Sequence, residues 1–273
     1  MLFTLCVSQG QPRPQPKKGT PMTENDKSLI HPLDLPLALS LLSRLPVPVR
    51  AYGRSAEAAW AYPLVGTMLG ALAALGGLAA GWLGLPAPVA ALVALAMLIV
   101  LSGAMHEDGL ADTADGLWGG WTREKRLEIM KDSHIGSYGV LALILSLGAR
   151  WCALWLLFQS GAAVATSALI VGATLSRGMM PMVMMALPHA RETGLSHRVG
   201  RVAPRAAALA LVLGGGIAIV LLGGAGLVAA VWAALAALGV GAVARAKIGG
   251  QTGDILGATQ QIAEIAALFS LLA

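Results

Sequence analysis

The segment Ala58-Ala-Trp-Ala-Tyr-Pro-Leu-Val-Gly-Thr-Met-Leu-Gly-Ala-Leu-Ala-Ala-Leu-Gly-Gly-Leu-Ala-Ala-Gly-Trp82 runs for 25 residues without a charge. A bilayer span needs about 20 such residues. Its Ala, Leu and Gly are the small-residue mixture that lets membrane helices pack closely. Six more apolar stretches follow at 86–104, 137–159, 162–187, 206–222, 226–244 and 255–273, with 206–222 marginal in length. The chain is 56% apolar and 12% charged, and its mean hydropathy is +0.72. Soluble domains carry about 25% charged residues. The pattern predicts an all-α, polytopic membrane bundle of about seven transmembrane helices.

Residues 33–50 are apolar for only about a dozen positions, too few to span. They predict a short interfacial or re-entrant helix ending at Arg44 and Pro46. Residues 1–28 carry Gln-Pro-Arg-Pro-Gln-Pro-Lys-Lys and read as a disordered extension. Translation is expected to begin near Met22, and residues 29–273 form one membrane domain. Cys6 and Cys152 have no metal-ligand spacing and predict no disulfide framework.

The connectors alternate in character. Those at 84–88, 159–161 and 223–226 are short and uncharged, whereas 105–136, 188–205 and 245–254 are polar. The N-terminal 57 residues carry seven Lys/Arg and the three polar connectors carry four, four and two. The positive-inside rule then places the polar face in the cytoplasm. The net charge of +5 is topological and predicts no nucleic-acid partner. Gly66-x-x-x-Gly70 and Gly77-x-x-x-Gly81 predict helix contacts.

Four of the chain's 14 acidic residues fall in Ala104-Met-His-Glu-Asp-Gly-Leu-Ala-Asp-Thr-Ala-Asp-Gly116. Asp108, Asp112 and Asp115 are spaced i, i+4, i+7, which puts them on one helical face within an otherwise polar 105–136 loop. Carboxylates held together repel unless a cation lies among them, and hard oxygen ligands without Cys suit Mg²⁺ or Mn²⁺ rather than zinc. Asp108 and Asp115 are about 10 Å apart along a helix, so a second metal, water-mediated contacts or ligands from another segment are needed. Asp132 and Asp254, on the same predicted face, are the candidates. The charges of residues 123–132 read as a solvated helix face. Arg150 and Arg177 fall inside apolar spans, where an unpaired cation costs several kcal/mol, so they read as functional, or as snorkelling or bonded to a backbone carbonyl. Glu264, with Thr252, Asp254 and Gln260, reads as a second polar patch. The basic 189–201 loop suits nucleotide or diphosphate oxygens, and equally topogenic charge or lipid headgroup contact. No nucleotide-binding or hydrolase motif is present.

Several motifs resemble the cobalamin synthase family of adenosylcobinamide-GDP ribazoletransferases. They are Leu42-Ser-Arg-Leu-Pro-Val-Pro48, Tyr62-Pro-Leu-Val-Gly66, His106-Glu-Asp-Gly-Leu-Ala-Asp-Thr-Ala-Asp-Gly-Leu117, Lys131-Asp-Ser-His-Ile-Gly-Ser-Tyr-Gly-Val140, Ala190-Arg-Glu-Thr-Gly194 and Gln251-Thr-Gly-Asp-Ile-Leu-Gly-Ala258. Glu107 and His134 depart from the family's usual apolar and basic residues. The resemblance implies that adenosylcobinamide-GDP and α-ribazole, or its 5′-phosphate, give adenosylcobalamin, or its phosphate, and GMP. The ribazole 5′-oxygen is expected to attack phosphorus with Mg²⁺ as cofactor. It implies Asp108, Asp112, Asp115 and Asp132 as catalytic residues, the first three as metal ligands. Substrate contacts fall to His106, Lys131, His134, Arg177, Arg191, Thr252 and Asp254. The expected setting is a bacterial inner membrane with the active face cytoplasmic. Expected partners are the corrinoid and nucleoside substrates and membrane lipid, with self-association and contact with other cobalamin-assembly enzymes open. A CDP-alcohol phosphotransferase-like enzyme shares membrane helices, Mg²⁺ and a nucleoside monophosphate leaving group, but Asp112 stands where its motif needs Ala-Arg. A cation transporter would place its carboxylates at mid-membrane.

Overall fold

A computed structural model describes residues 28–49 and 52–273. The expected extension 1–28 lies almost wholly outside them. The described chain is helical throughout: α1 (Asp34–Leu42), a 3-10 turn (Glu57–Ala61), α2 (Tyr62–Trp82), α3 (Ala87–Ser102), α4 (Met105–Gly119), α5 (Arg123–Ile129), α6 (Ser137–Ser160), α7 (Ala162–Ala186), α8 (Leu195–Val199), α9 (Pro204–Leu222), α10 (Gly224–Ile248) and α11 (Gly253–Ser270).

Five helices among the described residues are long and apolar enough to cross a membrane: α2 with its 3-10 lead-in, α6, α7, α9 and α10. The chain is a multi-pass membrane protein. The expected count of about seven changes for two reasons. The 86–104 stretch is the 16-residue α3, which turns by 85° into α4, and the two make a sixth span only if counted together. The last stretch forms the 18-residue α11, whose buried face holds Thr259, Gln260, Gln261 and Glu264.

The expected 105–136 loop is also largely helical, because α4 and α5 occupy it. The turn into α4 is made by two successive left-handed residues, Gly103 (φ 68) and Ala104 (φ 55). Gly adopts that conformation freely, whereas Ala pays roughly 1–2 kcal/mol for it. α4 therefore leaves the direction of α3 and lies across the polar end of the bundle. α1 is the short helix expected, with Leu37, Ala38, Leu39 and Leu42 buried. Its first residue, Asp34, is fully buried and accepts hydrogen bonds from Arg54 Nε at 3.0 Å, Trp60 Nε1 at 2.9 Å and the His31 amide at 2.9 Å. These tie α1 to the start of α2.

The centre of the bundle is α7. Its apolar window is 83% buried, against 28% for α6, α9 and α10, whose outer faces are left uncovered by the rest of the bundle. Small residues permit this centrality. Gly66 of α2 lies against the backbone of Ala173 and Thr174, and a Cβ there would come within 2.8 Å of Thr174 Cα. Gly77 packs against α3 and Phe158, but Gly81 faces open space. One of the two glycine motifs is thus a complete helix contact and the other only half of one.

The polar connectors meet at one end, as their alternation predicts. Ala190 N donates to Gln251 O at 2.9 Å and Gln251 N to Pro188 O at 2.8 Å, joining the segments before α8 and before α11. The α5 charges are largely solvated, as expected, with no residue of α5 buried, but two of its arginines also reach inward. Arg123 donates to Ile248 O and Ala190 O, and Arg126 to Lys247 O and Gly120 O. They cap the last carbonyls of α10, where cations are favoured.

The contrast between the glycines is testable. Gly66→Ala should cost about 1–3 kcal/mol through overpacking. Gly81→Ala should be neutral or stabilising by up to about 1 kcal/mol, since it removes a helical glycine. Thermal unfolding in detergent measures both.

Candidate active site

The acidic helix is held by contacts on both sides. Gly109 of α4 and Gly257 of α11 meet backbone to backbone, and a Cβ on Gly109 would lie 3.1 Å from Gly257 Cα and 3.2 Å from Asp254 Cα. This approach brings the first turn of α11 to the carboxylates of α4. On the other side Asp115 accepts hydrogen bonds from Gly136 N at 2.7 Å and Gly139 N at 2.9 Å, amides at the start of α6 that have no intrahelical acceptor. A Cβ at either glycine would run into that carboxylate.

Asp115 thus departs from the metal ligand expected from spacing, because both its oxygens are engaged with backbone amides. The face shared by the three aspartates divides: Asp115 anchors α6, whereas Asp108 is exposed and Asp112 half-buried. A cleft of about 130 Å³ opens beside them, lined by His106, Asp108, Arg191, Ser196 and Asp254. Thr252 N-caps α11, accepting from Ile255 N at 3.3 Å, and its hydroxyl donates to Asp254 Oδ2 at 3.1 Å. Arg191 NH2 donates to the same oxygen at 3.1 Å, while Arg191 NH1 is buried with no partner. His106 Nε2 is likewise buried and unpartnered. Burial and the positive charges of Arg177 and Arg150 keep His106 neutral by pushing its pKa well below 6.5.

Burial raises the Asp112 carboxyl to a pKa of about 7, with Asp108, Asp254 and Asp115 adding repulsion and Arg191 opposing it. Asp254 is also raised by burial, against the pull of Arg191 and Thr252. The grouping carries more negative charge than its surroundings neutralise, and its donors are hard oxygens. Among the described residues, however, no three His, Cys, Asp or Glu side chains are arranged to hold a metal ion.

Other expected residues lie elsewhere. Asp132 is exposed and paired with His134 Nδ1 at 2.7 Å. The carboxylate brought to the α4 group is instead Asp254, through the close approach of Gly109 to the first turn of α11. Lys131 and His134 share the same exposed turn between α5 and α6. Arg177 is fully buried and does not line the cleft. It joins an ionic network with Glu264 at 3.9 Å, while Arg150 reaches Glu107 at 3.0 Å and Glu264 at 3.5 Å. Gln261 Nε2 donates to Glu107 at 3.1 Å and Gln260 Nε2 to Ser176 at 3.0 Å. Glu264 and Gln260 therefore belong to this inner network, not to one patch with Thr252 and Asp254. Residue spacing also gave no sign of Ser196, His189 and Gln251. There, Ser196 Oγ donates to Gln251 Oε1, and Gln251 Nε2 lies 2.9 Å from His189 Nδ1.

Residues 34–272 match the family described as Cobalamin-5-phosphate synthase. The chain is 44% identical over 252 residues, 91% of its length and 95% of the relative's, to an adenosylcobinamide-GDP ribazoletransferase of Bradyrhizobium diazoefficiens. It is 41% identical to proteins of the same name from Allorhizobium ampelinum and Sinorhizobium medicae, covering 87% of this chain and 95% of each relative. No solved structure matches the chain.

The Asp112 environment predicts a pH effect. Its folded-state pKa of about 7 lies above the ordinary 3.8, so the folded state holds the proton longer than the unfolded chain. Its contribution is fully present below about pH 4 and is lost as pH rises through about 7. In metal-free buffer the thermal midpoint should fall across that window. Asp112→Asn should flatten the fall, and a variant with the wild-type slope would contradict the assignment.

Proposed function

Because the chain belongs to the cobalamin-5-phosphate synthase family, we propose that it joins adenosylcobinamide-GDP to α-ribazole or its 5′-phosphate. The products are adenosylcobalamin, or its phosphate, and GMP. The observation that carries this reading is the cleft in which Asp108, Asp254, Arg191 and His106 converge beside Asp112. Carboxylates for a divalent cation and an arginine with a free N–H suit a diphosphate.

In the reaction an acceptor hydroxyl oxygen bonds to the phosphorus bearing the cobinamide arm. The anhydride P–O bond breaks and GMP departs with the bridging oxygen. The 5′-oxygen expected as nucleophile cannot serve when that position already carries a phosphate retained in the product. A ring hydroxyl of the ribose is the consistent nucleophile for both acceptors.

Asp108 and Asp112 would hold Mg²⁺ together with diphosphate oxygens. When bound, Mg²⁺ supplies charge neutralisation on the diphosphate and the departing phosphate. Arg191 is oriented by Asp254 and presents NH1 to a phosphoryl oxygen. Asp254 Oδ2 takes the bonds from Arg191 and Thr252, which leaves Oδ1 to receive the hydroxyl proton. Neutral His106 offers Nε2 as a hydrogen-bond partner to the acceptor. Asp115 keeps α4 and α6 in register. The cleft faces the cytoplasm of a bacterial inner membrane, a reading that rests on the Lys/Arg bias of the polar connectors.

The test follows GMP release by purified protein given adenosylcobinamide-GDP, α-ribazole and Mg²⁺. Turnover on a CDP-alcohol and a lipid acceptor instead would overturn the proposal. Asp112→Asn should abolish Mg²⁺-dependent turnover. Arg191→Ala should lower kcat/KM for the GDP substrate by roughly 10- to 100-fold, the worth of a hydrogen bond to a charged group. Lys131→Ala should change it less than threefold, about 0.7 kcal/mol.

A further inference from the structure

On the side of α4 facing away from the cleft lies a second cavity, about 710 Å³ in volume and almost wholly apolar. Its floor is Leu110, Ala114 and Leu117 of α4, and its walls come from α6, α10 and α11. Its walls include α6 and α10, two candidate spans whose apolar windows are only 28% buried. Leu141 and Leu145 on its edge are 56% and 71% exposed.

The groove is not featureless. Thr113, next to Asp112 in sequence, lines it and is 5% exposed, and its buried Oγ1 has no hydrogen-bond partner. Trp118 and Tyr138 stand half-exposed at its polar end, as aromatic residues do at a membrane interface. Lys247 Nζ sits 4.8 Å from the Trp118 ring centroid and donates to Leu117 O. Arg126 and Arg123 reach the same end of α10. These three cations donate to carbonyl oxygens, and none of the ion pairs among the described residues includes them. Their positive charge is left without a carboxylate to balance it.

We propose that this groove binds one anionic phospholipid. An acyl chain fills the apolar floor, an ester carbonyl accepts from Thr113 Oγ1, and the phosphate lies at the cationic rim. Basic pockets between membrane helices recognise anionic headgroups in this way. The lipid would touch the back of the helix that carries Asp108 and Asp112. The inference does not depend on the reaction proposed above, because binding alone tests it.

Gly239 lines the groove, and a Cβ there meets nothing within 4 Å, so a large side chain can enter without disturbing the backbone. Gly216 is equally open but lies outside the groove. The full-length chain is stripped of lipid in detergent, offered phosphatidylglycerol or phosphatidylcholine, and weighed by native mass spectrometry. Wild type and Gly216→Phe should retain one phosphatidylglycerol, with at least severalfold preference over phosphatidylcholine, and Gly239→Phe should retain none. If Gly239→Phe does not fold, phosphatidylglycerol brominated along its acyl chain provides a second measurement. It should quench wild-type tryptophan fluorescence more than that of Trp118→Phe. Equal retention by Gly239→Phe and wild type, no headgroup preference, or quenching unchanged by Trp118→Phe would each overturn the proposal.

Discussion

Two arginines inside an apolar bundle set the constraint to which the rest of the structure answers. Arg150 and Arg177 are each 1% exposed, and charge at that depth persists only when paired. Their partners are Glu107 from α4 and Glu264 from α11, to which Gln261 and Gln260 also donate, while Arg150 Nε, Arg177 Nε and Glu107 Oε2 stay buried without a hydrogen-bond partner. Four helices are therefore tied together by charge at one level. Such a network is a poor source of net stability, because desolvation consumes much of what the ion pairs return. Removing one member, however, leaves an uncompensated charge and costs several kcal/mol. The network thus fixes how α4 is rotated more than it strengthens the fold.

That rotation explains the site. Glu107 and Asp108 are neighbours in sequence with opposite environments: Glu107 points inward to Arg150, and Asp108 outward to the cleft. The Gly109–Gly257 contact then sets the distance between α4 and α11, and Asp115 pins the far half of α4 to α6. A helix held at three places presents Asp108 and Asp112 to Asp254 and Arg191. The left-handed Ala104 is the local strain that accompanies this turn of the chain.

Much of this was legible in the sequence, because hydropathy and charge bias are properties of composition along a line. The long apolar helices, the short α1, the single polar end and the helical spacing of Asp108 and Asp112 all follow from them. What was not legible depends on pairing across distance. The destination of Asp115 requires knowing that Gly136 and Gly139 open α6 beside it. The loss of Asp132 to His134 is a local turn that spacing on a helix does not report. The hydropathy of 86–104 gives no hint of an 85° break, which arises from backbone conformation at Gly103 and Ala104. Gln251 was legible as part of a motif, but its bonds to His189 and Ser196 arise only where two connectors far apart in sequence form their bridge.

The central claim is that α4 and α11 share one transfer site. A double-mutant cycle on Asp108→Asn and Asp254→Asn, read as kcat/KM for GMP release, tests it most directly. Residues serving one site are coupled, so the double variant should be scarcely worse than the poorer single variant. Losses that multiply, leaving the two substitutions independent, would contradict the account.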